Sequence, residues 1–147
     1  MIQIKFVRTH KDAILPKRNH THPESGDAGY DLFAIKDDWV SPGESIVVNV
    51  GLNLGYLTPG YWLGIGGRSG LGFVKSVQPH FGIIDNSYRG DLSVKLYNLS
   101  TVSVKIEAGK GVAQLVLYKM IESEVGFIDE IVKGDRGTSK FGSSDEN

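Results

Sequence analysis

The chain has 147 residues, a hydrophobic content of 40%, a charged content of 22% and a formal net charge of −1. That length suits one domain with a sizeable core, and the near-neutral balance excludes a global pull toward nucleic acid or an anionic membrane. The absence of cysteine excludes disulfides, thiolate zinc sites and cysteine nucleophiles.

Ile2, Ile4 and Phe6 alternate with Gln3, Lys5 and Val7, which predicts a first strand. The beginning of the chain lacks a signal-peptide layout and no apolar run reaches the length of a membrane span. The expectation is a soluble intracellular protein of the cytoplasm, the host's if the chain is viral. Residues 17–27 are polar and broken by Pro23 and Gly26, so they read as a loop. Ala28 to Ala34 reads as a strand, Pro42-Gly43 as a turn, and Ser45–Val50 and Leu52–Leu57 as β-rich runs. Pro59-Gly60 turns the chain into a strand over Tyr61–Ile65, and the glycine-rich stretch 66–72 reads as a loop that opens at most a short helix.

Gly82-Ile83-Ile84-Asp85-Asn86-Ser87-Tyr88-Arg89-Gly90-Asp91 concentrates a carboxylate, an aromatic, a guanidinium and glycines within ten residues. Its apolar approach and the alternation of Leu92, Val94 and Leu96 with Ser93, Lys95 and Tyr97 predict a hairpin, with Asp85 and Tyr88 near its tip. A carboxylate held in that way can be aimed at a substrate, so Asp85 is the candidate catalytic group. Further strands are expected around Val102–Ile106 and Val112–Tyr118, with a weaker one over Val125–Ile128. Strands recurring every 8–12 residues or so with turns between them predict an all-β fold, an antiparallel sandwich or barrel. The pattern stops near Gly134, which divides the chain into a β domain of residues 1–133 and a C-terminal segment of residues 134–147.

Four other stretches carry polar chemistry. The C-terminal segment sets Phe141 among glycines, serines, Arg136 and Lys140, a composition that suits phosphate oxygens and base stacking as well as a solvated terminus. Gly67-Arg68-Ser69-Gly70-Leu71 misses a nucleophile elbow because position 71 is Leu. It is left as an oxyanion cradle or a hairpin end with an exposed arginine. Gln114 interrupts the apolar run Val112–Leu117, and Asp31 sits within Tyr30-Asp31-Leu32-Phe33. Each needs a partner if buried, the aspartate a cation, a metal or a donor array. His20 and His22, with Glu24 and Asp27, have the chemistry of metal ligands but lie in the polar loop, where solvated side chains are the simpler reading.

Taken in order, five stretches resemble the motifs of the trimeric dUTPase family, the dUTP pyrophosphatases. They are Ala28-Gly29-Tyr30-Asp31-Leu32, Arg68-Ser69-Gly70-Leu71, Gly82-Ile83-Ile84-Asp85 through Tyr88-Arg89-Gly90, Gly111-Val112-Ala113-Gln114-Leu115, and Arg136-Gly137 with Phe141-Gly142-Ser143. The resemblance implies a jelly-roll-like β fold, a homotrimer with shared active sites, and Mg²⁺-assisted hydrolysis of dUTP to dUMP and pyrophosphate. It implies no nucleic-acid or membrane partner.

By position, the resemblance makes Asp85 the base that activates water for attack at the α-phosphorus. Tyr88 packs on the deoxyribose and excludes a 2′-hydroxyl, and the backbone around Gly82 and Ile84 reads the uracil edge. Arg68, Ser69, Gly70 and Gln114 hold phosphate oxygens. Arg136, Phe141, Ser143 and Ser144 close over the nucleotide as a lid, with Phe141 on the base, and Asp31 holds the metal through water or orients neighbouring groups.

The chain departs from the family's pattern at Ser87, where an acidic residue is usual, at Ser139-Lys140, where glycines are usual, and at Gly67, where proline is common. The interval from Arg68 to Asp85 is also about two residues short of the family's form. The rival readings are a dCTP deaminase-like enzyme, against which stands the lack of glutamate between Gly60 and Asp91, and a non-catalytic binding module on the same scaffold.

Overall fold

The structure, a computed structural model, describes residues 1–135. Ten strands follow the turn signals: β1 (Ile4–Arg8), β2 (Gly29–Phe33), β3 (Asp38–Val40), β4 (Ser45–Leu57), β5 (Tyr61–Gly66), β6 (Val77–Pro79), β7 (Gly82–Ile84), β8 (Asp91–Asn98), β9 (Val104–Ile106) and β10 (Gly111–Lys119). One sheet has the order β1-β4-β8-β6, a second β2-β10-β5-β7, and β3 pairs with β9 in a small ribbon. Every pairing is antiparallel, so the all-β antiparallel class expected from the strand rhythm is the one observed, in the jelly-roll-like form that the resemblance implies.

Alternation decides which face is buried. In β8, Leu92, Val94, Leu96 and Asn98 are buried while Asp91, Ser93 and Lys95 are exposed, the period-two pattern of a strand with one face on a core. Those side chains meet Leu54 and Leu57 of β4, Leu63 of β5, Leu32 of β2 and Leu115 of β10 in one hydrophobic cluster. Each fully buried leucine stabilises the fold by about 1.5–3 kcal/mol. The β-rich runs on either side of Gly51 join in the single 13-residue strand β4. Gly51, with φ of 72°, forms a bulge there, because Asn49 pairs with Ser93 but Asn53 with Asp91.

Two expectations change. Residues 82–91 do not form a hairpin within one sheet: β7 pairs with β5 in the second sheet, whereas β8 is flanked by β4 and β6 in the first. Asp85 and Tyr88 therefore stand on a connection that crosses between the layers, because both edges of β8 are already occupied. The stretch Val125–Ile128 is not a strand, and Val125 and Phe127 are fully exposed. Its residues favour strand, but they pair with no strand among the described residues. The 17–27 segment is a loop as expected, and the stretch after Gly66 runs into a single π-type helical turn, Gly70–Val74.

Candidate active site

Asp31, Gln114 and Gly66 stand side by side across β2, β10 and β5, since Asp31 pairs with Gln114 and Gln114 with Gly66. The loop leaving β5 folds back over this row. Arg68 Nε meets Asp31 Oδ1 at 3.1 Å, and its Nη1 donates to the Gly111 carbonyl at 3.0 Å. Gln114 Nε2 donates to the Gly67 carbonyl at 2.8 Å. Asp31 is only 16% exposed in its side chain, so the cation that its burial demands is Arg68.

The Arg68 guanidinium is thus held along one edge, while Nη2 makes no hydrogen bond among the described residues. The Ser69 hydroxyl makes no capping bond to the π turn that begins at Gly70. A tethered guanidinium with a free edge, beside an uncommitted hydroxyl, is a donor set for phosphate oxygens.

A second group of residues is built around Asp85. Its carboxylate is exposed and takes no hydrogen bond or ion pair among the described residues. The backbone that presents it is clamped. Asn86 Nδ2 lies 3.0 and 2.9 Å from the Thr58 and Tyr61 carbonyls, which ties the connection to the Pro59-Gly60 turn. Arg89 Nη1 donates to the carbonyls of Asn86 and Tyr88 at 2.8 and 2.9 Å, and Asn53 Nδ2 donates to the Arg89 carbonyl at 2.9 Å. Tyr88 folds back so that its hydroxyl donates to the Asp91 carbonyl at 2.9 Å. Asn53 was not singled out from the sequence, and Asn86 and Arg89 were noted only as parts of the 82–91 stretch, with no role assigned. Ser87 is exposed and makes no side-chain hydrogen bond among the described residues.

The two groups do not meet within one chain. Ile84 pairs with Leu63 and Gly82 with Ile65, so the antiparallel register carries Asp85 to the level of Trp62 while Arg68 lies beyond Gly66. The four strand steps from Trp62 to Gly66, at about 3.3 Å each, span roughly 13 Å, and Arg68 follows that end of β5. An open cavity of about 870 Å³ borders Arg68, Gly70 and Gly111, with Trp39, Leu71 and Val102 on its far side, and neither Asp85 nor Tyr88 lines it. Gly82 and Ile84 lie on the β7 edge of the second sheet. Arg136, Phe141, Ser143 and Ser144 lie outside the described residues.

The histidine loop is closed on itself. Asp27 accepts the backbone N–H groups of His20 and Asn19 and pairs with His20 Nδ1 at 3.0 Å. The His20 backbone N–H first, and then its ring, hold the Asp27 carboxyl below its ordinary value. Among the described residues no group of three or more His, Cys, Asp or Glu side chains is arranged to hold a metal ion, and no helix is long and apolar enough to cross a membrane.

Comparison with known proteins converges on one family. A sequence model of the dUTPase family matches residues 15–145. The deoxyuridine 5′-triphosphate nucleotidohydrolase of Picosynechococcus sp. is 33% identical over 97% of this chain and 99% of its own length. That of Clostridium acetobutylicum is 32% identical over 98% and 97%. Among solved structures, a mutant dUTPase of Staphylococcus bacteriophage 80alpha with dUpNHpp superposes with a TM-score of 0.85 at 25% identity, covering 97% of this chain and 98% of that one.

Proposed function

The chain belongs to the dUTPase family of enzymes, and from that premise we propose that it hydrolyses dUTP to dUMP and pyrophosphate with Mg²⁺, at sites shared between the subunits of a homotrimer. The observation that carries the reading is the pair of half-sites: an uncommitted carboxylate beside a pinned tyrosine, and at the opposite end of β5 a tethered guanidinium with one free edge. A base must stand within about 3 Å of the water it activates, and that water within reach of the phosphorus attacked. Groups set at opposite ends of a strand leave each chain with two incomplete halves. Asp85 and Tyr88 of one subunit then complete Arg68, Ser69, Gly70 and Gln114 of another.

Exposed apolar surface supports assembly. Ile121, Val125, Phe127, Ile128, Ile131 and Val132 follow β10 and are exposed among the described residues. On the outer face of the second sheet Trp62 stacks on Tyr118 at 4.4 Å, beside exposed Phe81 and Ile83. Such contiguous apolar patches mark interaction sites.

In the proposed reaction Asp85 takes a proton from water, and the water oxygen bonds to the α-phosphorus. The bond from that phosphorus to the α,β-bridging oxygen breaks, and its electron pair leaves with pyrophosphate. Arg68, Ser69, Gly70 and Gln114 hold the leaving group, while Tyr88 and the backbone of Gly82 and Ile84 hold sugar and base. Residues 134–147 form the lid, with Arg136, Ser143 and Ser144 on phosphate and Phe141 on the base.

Asp31 spends Oδ1 on Arg68, while its Oδ2 takes no hydrogen bond and no cluster of three or more acidic or imidazole ligands stands there among the described residues. That donor set suits a hydrated Mg²⁺ carried on the triphosphate, with Asp31 Oδ2 accepting from one of its waters. The ion, when bound, neutralises charge on the phosphate oxygens.

The test is pyrophosphate release from dUTP, UTP, dTTP and dCTP with and without Mg²⁺. Release from dUTP alone, dependent on Mg²⁺, is expected. Ammonia from dCTP, or dUTP binding without release, would overturn the reading in favour of a deaminase or a binding module.

A further inference from the structure

Three glycines lie directly beneath the three long side chains of the half-sites, each in a different sequence motif. A β-carbon built on Gly111 would stand 2.5 Å from Arg68 Nη1 and 2.9 Å from its Cζ. One built on Gly90 would stand 2.5 Å from Tyr88 Oη and 2.8 Å from its Cζ, and one built on Gly29 would overlap Gln114 Oε1, with Cδ at 3.0 Å. None of the three has the left-handed backbone seen at Gly43, Gly51, Gly60 and Gly109. What requires glycine at these positions is therefore space, not backbone conformation. The same is not true of glycines in general here, since Gly43, Gly60, Gly70 and Gly109 have nothing within 4 Å of such an atom.

We propose that Gly111, Gly29 and Gly90 are positioning residues of the active site: each seats one substrate-facing side chain by withholding a β-carbon. The inference rests on the dUTP-hydrolysing reading for its choice of ligands. Each seated side chain is also tied at its polar end. Arg68 bonds to Asp31 and to the Gly111 carbonyl, Gln114 to the Gly67 carbonyl, and Tyr88 to the Asp91 carbonyl. A tether alone fixes a distance and leaves the side chain free to swing about it. A flat glycine floor removes the swing on one side, so tether and floor together define one position.

The chemistry of the contacts makes the assignment testable. In all three cases the nearest atom a methyl group would strike is the far end of a side chain and not backbone, although at Gly29 the Gln114 Cβ also stands at 3.1 Å. Alanine therefore moves Arg68, Gln114 or Tyr88 and leaves the strands in place. Gly26 is the contrast, because its β-carbon would meet the backbone of His20 and His22, where alanine would strain the loop itself.

Because the half-sites are separate, the consequences separate too. Gly111→Ala and Gly29→Ala disturb only groups that face the β- and γ-phosphates, which dUMP lacks. Gly90→Ala disturbs the ring that faces the sugar, which dUMP and dUTP share. A displacement of about 1 Å in a positioning group costs on the order of 10²-fold. The experiment measures affinity for a non-hydrolysable imido analogue of dUTP and for dUMP, and the ratio of kcat/KM for dUTP over UTP, in the full-length protein and the three variants.

Gly111→Ala and Gly29→Ala should weaken the analogue by about 10- to 100-fold and leave dUMP unchanged. Gly90→Ala should weaken both ligands together and lower the dUTP/UTP ratio. Equal losses for both ligands in Gly111→Ala, or an unchanged affinity for the analogue, would overturn the proposal. A crystal structure of Gly111→Ala without nucleotide gives a second reading: a displaced Arg68 is expected, and an unmoved one overturns the positioning role. Wild-type protein that releases no pyrophosphate from dUTP would instead refute the functional reading, leaving that crystallographic result to stand or fall on its own.

Discussion

Two variants, each crippled in a different half-site, should restore activity when their subunits are mixed. Asp85→Asn removes the proposed base and should lower turnover by about 10²–10⁴-fold, roughly 3–5 kcal/mol of barrier. Arg68→Gln removes the guanidinium that the structure anchors on Asp31 and Gly111. The antiparallel register of β5 and β7 sends these two positions to opposite ends of β5. In the proposed reading a working site takes Asp85 from one subunit and Arg68 from another.

In a random one-to-one mixture, the first donor must be an Arg68→Gln chain and the second an Asp85→Asn chain. Each condition holds half the time, so about one quarter of the sites are intact. Pyrophosphate release per site should reach about a quarter of wild type, at least an order of magnitude above either variant alone. The assay is steady-state turnover after subunit exchange, with exchange followed by the masses of differently tagged chains. Activity that stays at the level of the separate variants once mixed species are present would refute the division of the site between subunits.

Further outcomes follow from other parts of the molecule. Asn98 is fully buried and joins three stretches: its Nδ2 donates to the Val40 and Val102 carbonyls, both at 2.8 Å, and its Oδ1 accepts from Ser100. Asn98→Ala strands those groups and should cost about 3 kcal/mol, a fall of roughly 10 °C in Tm at fixed protein concentration. Asp27 is held below its ordinary carboxyl value of 3.8 by the His20 backbone N–H and ring. Because the folded-state value is depressed, its contribution to loop order is complete above the ordinary value and is lost only as pH falls through the depressed one. The ¹³C shift of its carboxyl carbon should hold through pH 4 and move below it, and a midpoint at or above the ordinary value would contradict the contacts. Truncation after Gly134 should leave the thermal transition in place while abolishing most turnover; full turnover in that variant would remove the lid role of residues 134–147.

The strands were legible because their cores alternate. Leu92, Val94 and Leu96 show period two in the sequence and are buried in the fold, and the Pro-Gly pairs at 42–43 and 59–60 mark turns where the chain reverses. What sequence pattern misassigned was partnership. Val125–Ile128 has strand chemistry and no ladder among the described residues. Residues 82–91 have hairpin chemistry, but their two legs pair into different sheets. Propensity is a property of a segment, while pairing is a property of whichever edges remain open, and a single sequence does not state which those are.

The same distinction governs the site. Asp31 was recognisable as a charge that needed a partner, and Arg68 as a cation on a flexible loop, yet nothing in their spacing joins them. The link is made by register: Asp31 pairs with Gln114, Gln114 with Gly66, and the loop that follows Gly66 returns Arg68 to the start of the row. The clamping roles of Asn86, Arg89 and Asn53 escaped notice for a related reason. They bond to backbone carbonyls distant in sequence, and a carbonyl leaves no mark in a sequence. Glycines 29, 90 and 111 were visible as parts of motifs, but their purpose shows only once the side chains above them are in place. Motifs thus reveal which groups the chemistry needs. The geometry adds that the groups are seated separately, in two halves that one chain cannot bring together.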